Sequence, residues 1–458
     1  MNDVKHFQRV TRSLKTARRT LGALVQTISD EITATMDEML PVYYHQGFAS
    51  LPDELLASIL EESGNDPVEM QMLSWRFYRI VSNLPRLWTT IRSGEQGDRW
   101  NLALKRSCEQ TLDVDILVDE LEPRDLRALR PHWHRVGVLR LEADDEQIEM
   151  MNSQFSSLGT MHRLRGLSLD LRLSEGDDVG HPTAEYTFYE DWHTPNLTEL
   201  FVSNIIPIPI RGMSLRHLDM LLCDASISGV PWDVTRLHTL LASCQALEQL
   251  SIDFEDAAVL VGEFGPVELP SLRYFKLTVA TDMISETHTF MDFVSNLTIT
   301  NVEEMYIVTR YLAAIDMTPS LELIFSSSTR YPNLTTLDFS VMETVAWDVT
   351  SLQRIILERL PKLSHFTIEA PGLDIVAEDI LSARPFPPLR TLCFRRCYRA
   401  YFAFFMVLFE RLHDKFVKAE ENSPDREFAI QLIGCSHLLK EDVVRLARRF
   451  DIRVEWQS

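Results

Sequence analysis

Few residues in this chain of 458 residues have the types and the spacing that metal binding or catalysis requires. His132 and His134 flank a tryptophan and could bind a metal ion if a third ligand came close, although an alternating pair after a proline is usually exposed. Cys393 and Cys397 form a second pair, but no further pair follows at the spacing of a zinc ribbon. We therefore expect no metal at either pair and predict that the two cysteines pack in a core.

Motifs that carry out chemistry are missing from the sequence. It has no glycine-rich loop that could cradle a phosphate, no Gly-x-Ser-x-Gly elbow and no His-Glu-x-x-His helix, so an enzyme is the least favoured class and we predict no catalytic residue and no cofactor. The net charge of −22 argues against nucleic acid as the main partner, because phosphate binding needs clustered lysine and arginine. Acidic runs at 142–146 and 175–178 could recruit a basic partner or form solvated loops.

The composition indicates a folded protein of the cell interior. Apolar residues make up 45% of the chain, which is typical of globular proteins. The six cysteines lie far apart, which fits a reducing compartment better than a disulfide framework, so we expect a cytoplasmic or nuclear location. We expect no contact with a membrane, because no apolar run reaches the length of a membrane span and the basic start is not followed by the apolar core of a secretory signal.

A helical pattern at residues 51–88 is the first element that could position a binding surface. Pro52 suits the first turn of a helix, and Asp53 and Glu54 lie favourably at the positive end of the helix dipole. A second helical pattern follows the break at 64–67 and stops at Pro85. The apolar positions of the two patterns are Leu55, Leu56, Ile59, Leu60, Leu73, Phe77, Ile80 and Leu84. So small a module buries little apolar area by itself, and we expect it to bind a partner.

At these residues the chain resembles the F-box, the helical motif that docks on the Skp-type adaptor of cullin-based ubiquitin ligases. The resemblance is carried by Leu51-Pro52-x-Glu54-Leu55-Leu56-x-x-Ile59, by Ser74-x-Arg76-Phe77-x-x-Ile80-Val81, and by Leu84-Pro85-x-Leu87-Trp88-x-x-Ile91, which looks like the closing tail common in fungal members. It implies an F-box over residues 48–92. It also implies adaptor contacts by Leu51, Pro52, Glu54, Leu55, Leu56, Ile59, Leu60, Phe77, Ile80, Pro85, Leu87 and Trp88. A plain helical hairpin packed against the rest of the chain is the alternative.

From Leu112 onward an apolar-x-x-apolar-x-apolar unit recurs, and successive units begin 18 to 33 residues apart. The units are Val136/Leu139/Leu141, Leu164/Leu167/Leu169, Leu197/Leu200/Val202, Leu215/Leu218/Met220, Leu247/Leu250/Ile252, Leu272/Phe275/Leu277, Val302/Met305/Ile307, Leu334/Leu337/Phe339, Leu363/Phe366/Ile368 and Leu389/Leu392/Phe394. Helical patterns lie between several of them, such as the one at 290–297. This spacing predicts an α/β solenoid with one strand and one helix in each turn.

The array resembles the irregular leucine-rich repeats that follow the F-box in many fungal proteins. The resemblance implies parallel strands on a concave side and helices on a convex side, with the Cys or Asn slot of the repeat facing inward at Ile205, Cys223, Met342 and Cys397. The expected organisation is an N-terminal amphipathic helix at 1–45, an F-box at 48–92, a linker and helix at 93–110, and a solenoid at 111–458 with a cap from about residue 425.

Two further segments have open interpretations. The helix at 1–45 either packs on the F-box or pairs weakly with a copy of itself; a mitochondrial transit peptide is disfavoured because acidic residues interrupt it. The insert at 174–193 carries the aromatic residues Tyr186, Phe188, Tyr189 and Trp192. Such side chains are enriched where surfaces bind proteins, so they are a candidate substrate surface unless they fold back onto the core.

These patterns favour a non-catalytic substrate receptor of a Skp–cullin–F-box ubiquitin ligase. In this hypothesis the F-box binds the adaptor, and through it a cullin, while the repeats hold a protein substrate. The alternative is a scaffold independent of any ligase, in which the repeats bind one partner and the helical module caps the array.

Overall fold

A computed structural model describes most of the chain in two units. The described residues are 21, 24–32, 34–35, 51–94, 99–144, 147–156, 158–172, 187–222, 232–254, 260–280, 288–310, 324–325, 330–341, 356–371, 387–398, 402–420, 428–435, 438–450 and 453–457. The first unit, here called the helical unit, comprises Met1–Thr89 and Lys105–Cys108. The second, here called the sheet unit, comprises Thr90–Leu104 and Glu109–Ser458.

Residues 51–89 of the helical unit form three short helices and a turn of 3₁₀ helix. They are α1 (Asp53–Ser63), α2 (Pro67–Met72), α3 (Trp75–Ser82) and the 3₁₀ turn Pro85–Trp88. Gly64 ends α1 in the left-handed conformation that glycine adopts without steric cost. Asp66 and Ser74 cap α2 and α3, because their side chains accept hydrogen bonds from backbone N–H groups in the first turn. Residues 24–32 of the predicted N-terminal helix are helical, and most of that segment lies outside the described residues.

A parallel sheet of fourteen strands dominates the sheet unit. Its strands are β1 (Thr90–Arg92), β2 (Leu112–Leu117), β3 (Val136–Asp144), β4 (Gly166–Arg172), β5 (Glu199–Ser203), β6 (His217–Leu222), β8 (Gln249–Phe254), β11 (Tyr274–Ala280), β13 (Glu304–Arg310), β14 (Thr336–Val341), β15 (His365–Glu369), β16 (Thr391–Arg395), β17 (Ala429–Ile433) and β18 (Arg453–Gln457). They lie side by side in chain order, and two separate two-stranded ladders, β7 (Trp232–Asp233) with β9 (Leu260–Val261) and β10 (Val267–Glu268) with β12 (Leu297–Thr298), accompany them.

Equivalent residues of the recurring apolar unit are register partners in neighbouring strands. The second and third apolar residues of each unit line up across the sheet, as in Leu250 with Phe275 and Ile252 with Leu277. These side chains are buried on one face, while the residues between them lie on the other face, as alternation along a strand requires. The prediction of an α/β fold with a large parallel sheet is confirmed. The sheet begins earlier than expected, however, because β1 falls inside the segment assigned to the F-box.

Helices connect several strands and cover the buried face of the sheet. They are α4 (Arg99–Arg106), α5 (Pro123–Leu129), α6 (Ile148–Phe155), α7 (Val234–Ser243), α8 (His288–Asn296), α9 (Phe402–Glu420) and α10 (Lys440–Phe450), with 3₁₀ turns at Val118–Glu120 and Arg130–Arg135. Aromatic rings join the two layers: Phe293 of α8 meets Phe254 of β8 at a centroid distance of 6.2 Å, and Phe405 of α9 meets Phe394 of β16 at 5.4 Å. None of the described helices is long and apolar enough to cross a membrane.

Side chains that follow two of the strands form hydrogen bonds with the preceding strand of the sheet. Asn204 follows β5 in the left-handed conformation, and its side-chain amide donates a hydrogen bond of 2.8 Å to the Leu171 carbonyl at the end of β4. The Cys397 thiol lies 3.5 Å from the Ile368 carbonyl, one strand back. Cys397 and Ile205 are buried, which confirms the inward slot at these two positions, while Cys223 and Met342 lie outside the described residues.

Candidate protein-docking surface

An ion network joins the first and third helices of the helical unit. The Asp53 carboxylate accepts hydrogen bonds from Arg76 at 2.8 Å and Arg79 at 2.6 Å. Arg76 also donates to the Leu51 carbonyl, which fixes the chain where it enters α1. The hydrogen bond from Arg76 is the main cause that holds the pKa of Asp53 below its ordinary value, and Arg79 adds to it. The network orients the start of α1 against α3.

The small core of this unit is built around Trp88. Its side chain is 1% exposed, and its indole N–H donates a hydrogen bond of 2.8 Å to the Val81 carbonyl. The Arg106 guanidinium lies 4.5 Å from the centre of a ring of the indole, within the range of a cation–π interaction. The other buried apolar side chains of the segment are Leu56, Leu60, Met70, Ile80 and Val81. Trp88 therefore stabilises the unit from within.

Four of the residues predicted to contact the adaptor have buried side chains. Leu56, Leu60, Ile80 and Trp88 were expected on the docking surface, but all four lie inside the helical unit. The physical reason is that the unit needs one apolar stripe of this short helix for its own core, and the packing of α3 and the 3₁₀ turn against α1 assigns that stripe to Leu56 and Leu60.

The remaining predicted residues are accessible to different degrees. Pro52, Glu54, Leu55 and Ile59 are exposed, and Leu51, Phe77, Pro85 and Leu87 are partly exposed. Leu55 and Ile59 lie four residues apart on α1 and therefore on one side of it. Pro52, Leu55 and Ile59 are called the α1 patch below.

A second exposed apolar group lies at the junction of α2 and α3. Met72 is 83% exposed, Trp75 is 78% exposed, and Leu73 and Tyr78 are also accessible. The Trp75 and Tyr78 rings stack with centroids 5.3 Å apart and an interplanar angle of 14°. These four residues are called the α3 patch. Large accessible apolar side chains, above all tryptophan and methionine, are typical of protein interfaces, so both patches are candidate docking surfaces.

The α3 patch was absent from the predicted contact set. The F-box resemblance predicts contacts by Phe77 and Ile80, which repeat on the inner side of α3. Trp75 and Tyr78 are three residues apart and follow a different side of the same helix. A helical projection of residues 72–82 would have separated these two sides, and the presence of a tryptophan on the outer one is the signal that could have revealed the patch.

The aromatic insert of the sheet unit does not form an exposed surface. Phe188, Tyr189 and Trp192 are almost completely buried, and Tyr186 lies outside the described residues. The Trp192 indole N–H donates a hydrogen bond of 2.9 Å to the Phe155 carbonyl at the end of α6. Phe188 makes edge-to-face contacts with Phe155, Tyr189 and Trp192. The prediction of a substrate surface here is wrong, because these rings close the core between neighbouring turns.

The residues singled out for possible metal chemistry have other environments. His132 lies with its Nδ1 atom 3.2 Å from a nitrogen of Arg135. Partial burial lowers the pKa of His132, and the positive charge of Arg135 lowers it further. Burial raises the pKa of the Cys393 thiol to about 11 and also raises that of Cys397. Within the described ranges, no group of three or more possible ligand residues is placed to hold a metal ion.

The first acidic run is partly engaged in the sheet. Glu142 on β3 forms an ion pair with Arg172 on β4, whereas Asp145, Glu146 and the run at 175–178 lie outside the described residues.

Comparison of the sequence with protein-family models and with curated proteins finds no match.

Proposed function

We propose that this protein is a substrate receptor of a Skp–cullin–F-box ubiquitin ligase. In the proposal, the helical unit binds a Skp-type adaptor through the α1 and α3 patches, and the sheet unit, as a leucine-rich-repeat solenoid, holds a protein substrate. The chain would form no covalent bond itself; it would raise the effective concentration of the substrate's lysines near a charged conjugating enzyme. Such a complex operates in the cytoplasm or the nucleus.

The observation that carries the proposal is the exposure of Leu55 and Ile59 within the residues that resemble an F-box. A unit of three short helices has little reason to leave these side chains in water, together with Met72 and Trp75, unless another protein covers them. The closing residues 84–91 add support, because the resemblance continues through Trp88 at the expected separation. The sequential parallel sheet supports the second half of the proposal, since one strand for each repeat is the pattern expected of leucine-rich repeats.

Co-purification of the full chain with a purified fungal Skp-type adaptor tests the proposal. We expect wild-type protein to capture the adaptor and the Leu55→Ala/Ile59→Ala variant to lose at least about tenfold in affinity, since truncating interface anchors commonly costs 1 to 2 kcal/mol each. The matched control is Leu439→Ala, which removes an exposed leucine from the sheet unit and should leave capture unchanged.

Two results would count against the proposal. Absence of capture by the wild-type chain would favour the ligase-independent scaffold, in which the helical unit only caps the array. Equal capture by the Leu55→Ala/Ile59→Ala variant and by wild type would show that the α1 patch is not the docking surface.

A further inference from the structure

On the face of the parallel sheet opposite the described helices, a row of side chains with partial or full exposure runs across adjacent strands. On β6, for example, Leu218 and Met220 are buried while Asp219 between them is exposed. Backbone register extends this outer row from Asp219 through Ser251 and Lys276 to Tyr306 and then to Asp338 on β14. The row crosses five adjacent strands, so its ends are about 19 Å apart.

Two tyrosines stack at the centre of this face. The rings of Tyr274 on β11 and Tyr306 on β13 have centroids 5.1 Å apart and are tilted by 35°. Tyr274 pairs in register with Glu304, and Lys276 pairs with Tyr306, so the tyrosines are diagonal neighbours with a carboxylate and an ammonium group beside them. Both tyrosine side chains are partly exposed. They form an accessible aromatic platform of the kind that stacks with planar cations.

The electrostatic environment of the platform is negative. Burial is the main cause that raises the pKa of Tyr274, and the negative charges of Glu304, Asp219 and Asp338 raise it further. Asp338 is balanced by Arg395, whose guanidinium lies 3.2 Å away. Asp219 and Glu304 are both exposed and form no salt bridge with a described residue. Lys276 pairs in register with Tyr306 and is a competing cation, but the nearby carboxylates outnumber it, so the surroundings of the tyrosines are acidic.

A buried hydroxyl group on the same face also lacks a partner. Ser340 lies two residues after Asp338 on β14 and therefore on the same side of the strand. It is 4% exposed, and its Oγ atom has no hydrogen-bond partner among the described residues. An unsatisfied buried hydroxyl is costly. Because its Oγ atom is closed to solvent, Ser340 marks where the accessible part of the row ends on β14, and it makes no contact with a molecule bound on the outer face.

We propose that Tyr274, Tyr306, Asp219 and Glu304 bind an arginine side chain of an extended protein segment that crosses strands β6 to β14. The guanidinium group stacks on the tyrosine platform, Glu304 opposite Tyr274 accepts its hydrogen bonds, and the more distant Asp219 adds negative charge. This arrangement suits the planar fork of arginine better than the compact ammonium group of lysine. About six to eight extended residues span the five strands. The inference rests on the proposed function, because it assigns a chemical class to the segment that the sheet unit holds.

Fluorescence anisotropy with the full chain tests the assignment directly. The probe is a fluorescein-labelled peptide of about eight residues in which arginine and serine alternate, measured at 0.15 M salt. The matched probe replaces arginine with citrulline, which keeps the planar shape but removes the charge. We expect the citrulline peptide to bind at least about tenfold more weakly, because it loses the charge-assisted contacts.

Variants separate a local site from general attraction to an acidic protein. Asp219→Asn/Glu304→Gln and Tyr274→Leu/Tyr306→Leu should each weaken binding about tenfold. Asp113→Asn/Asp115→Asn removes the same charge from the same face on β2, about 19 Å from β6 and so beyond the screening length. It should change affinity less than about twofold.

A gain of affinity provides a test that misfolding cannot imitate. Lys276→Gln removes the competing cation and should strengthen binding several-fold. Three results would overturn the site. Asp219→Asn/Glu304→Gln and Asp113→Asn/Asp115→Asn could weaken binding equally, or the citrulline peptide could bind as tightly as the arginine peptide. The third is that Lys276→Gln does not strengthen binding. Adaptor capture is measured on the same preparations. If the wild-type chain captures the adaptor but does not bind the arginine peptide, this inference alone is overturned. If it binds the peptide but does not capture the adaptor, the proposed adaptor interaction alone is overturned.

Discussion

Two tryptophans of the helical unit allow its stability to be separated from its binding. Trp88 is 1% exposed, and its indole is held by the Val81 carbonyl and by Arg106. Trp75 is 78% exposed and stacks only on its neighbour Tyr78 among the described aromatic contacts. Substitution by alanine removes the same side chain in both cases. We expect Trp88→Ala to unfold the unit locally and Trp75→Ala to leave it folded but unable to bind tightly.

The expected magnitudes follow from these environments. Burying an indole removes about 200 Å² from water, worth roughly 5 kcal/mol at 25 cal/mol per Å². The hydrogen bond to Val81 and the cation–π contact contribute about 1 kcal/mol each. Because the surroundings relax, measured losses for tryptophan truncation are about 3 to 5 kcal/mol, and we adopt about 4 for Trp88→Ala. Trp88→Phe keeps most of the apolar contact and should cost about 2 kcal/mol. Trp75→Ala should cost less than about 0.5 kcal/mol of stability.

Hydrogen exchange followed by mass spectrometry measures the amide exchange rates of the helical unit separately from those of the sheet. A loss of about 4 kcal/mol corresponds to roughly a thousandfold faster exchange of the amides in α1 and α3 wherever these open cooperatively. Trp75→Ala should leave these rates within a few-fold of wild type and reduce adaptor affinity by about 2 kcal/mol, close to thirtyfold. Unchanged exchange in Trp88→Ala, or full adaptor affinity in Trp75→Ala, would refute the division between the two residues.

Three further predictions concern acidity, thiol reactivity and the aromatic core. Asp53 has a lowered pKa in the folded state, so it stabilises the helical unit above its ordinary value of 3.8, and this contribution is lost as pH falls through the lowered pKa. Asp53→Asn should therefore flatten the acid unfolding of α1 measured by circular dichroism, whereas an unchanged acid limb would contradict the role of the Arg76 pair. Burial raises the pKa of Cys244 to about 11, so iodoacetamide at pH 8 should label exposed Cys108 first, as peptide mapping would show, and equal rates would contradict this. Trp192→Phe should destabilise the sheet unit by about 1 kcal/mol in urea unfolding, because the Phe155 carbonyl loses the indole donor and keeps the longer hydrogen bond from the Leu158 N–H; a neutral effect would contradict the importance of the indole hydrogen bond.

Periodicity in the sequence predicted the sheet well. The apolar unit fixes which residues of a strand face inward, and for units such as Leu334/Leu337/Phe339 that pattern survives because neighbouring strands repeat it in register. The strand β1 was not predicted, because Thr90–Arg92 has a single apolar residue and is defined by its pairing with β2. The segment ending at Leu297 was predicted to be helical throughout, but α8 stops at Asn296 and Leu297 pairs in β12. Tertiary pairing decides such short elements.

The docking residues were harder to predict than the elements that carry them. On α1 the sequence shows four apolar residues in close succession, and it does not state which pair faces the core. The structure buries Leu56 and Leu60 and exposes Leu55 and Ile59. That outcome depends on where α3 and the turn with Trp88 pack, which is a property of the assembled unit. The aromatic insert shows the same limit, since the residue types that favour interfaces also favour well-packed cores.

The order of the strands has a consequence for how the protein loses its structure. Each interior strand of the main sheet bonds to the members of that sheet that precede and follow it in chain order, so the described sheet pairs no strands that are distant in that order. Cooperativity in such an array passes from one turn to the next. Heating should therefore melt the sheet from its weakest turn outward, and a single transition temperature would be a poor summary of a process that occurs in stages.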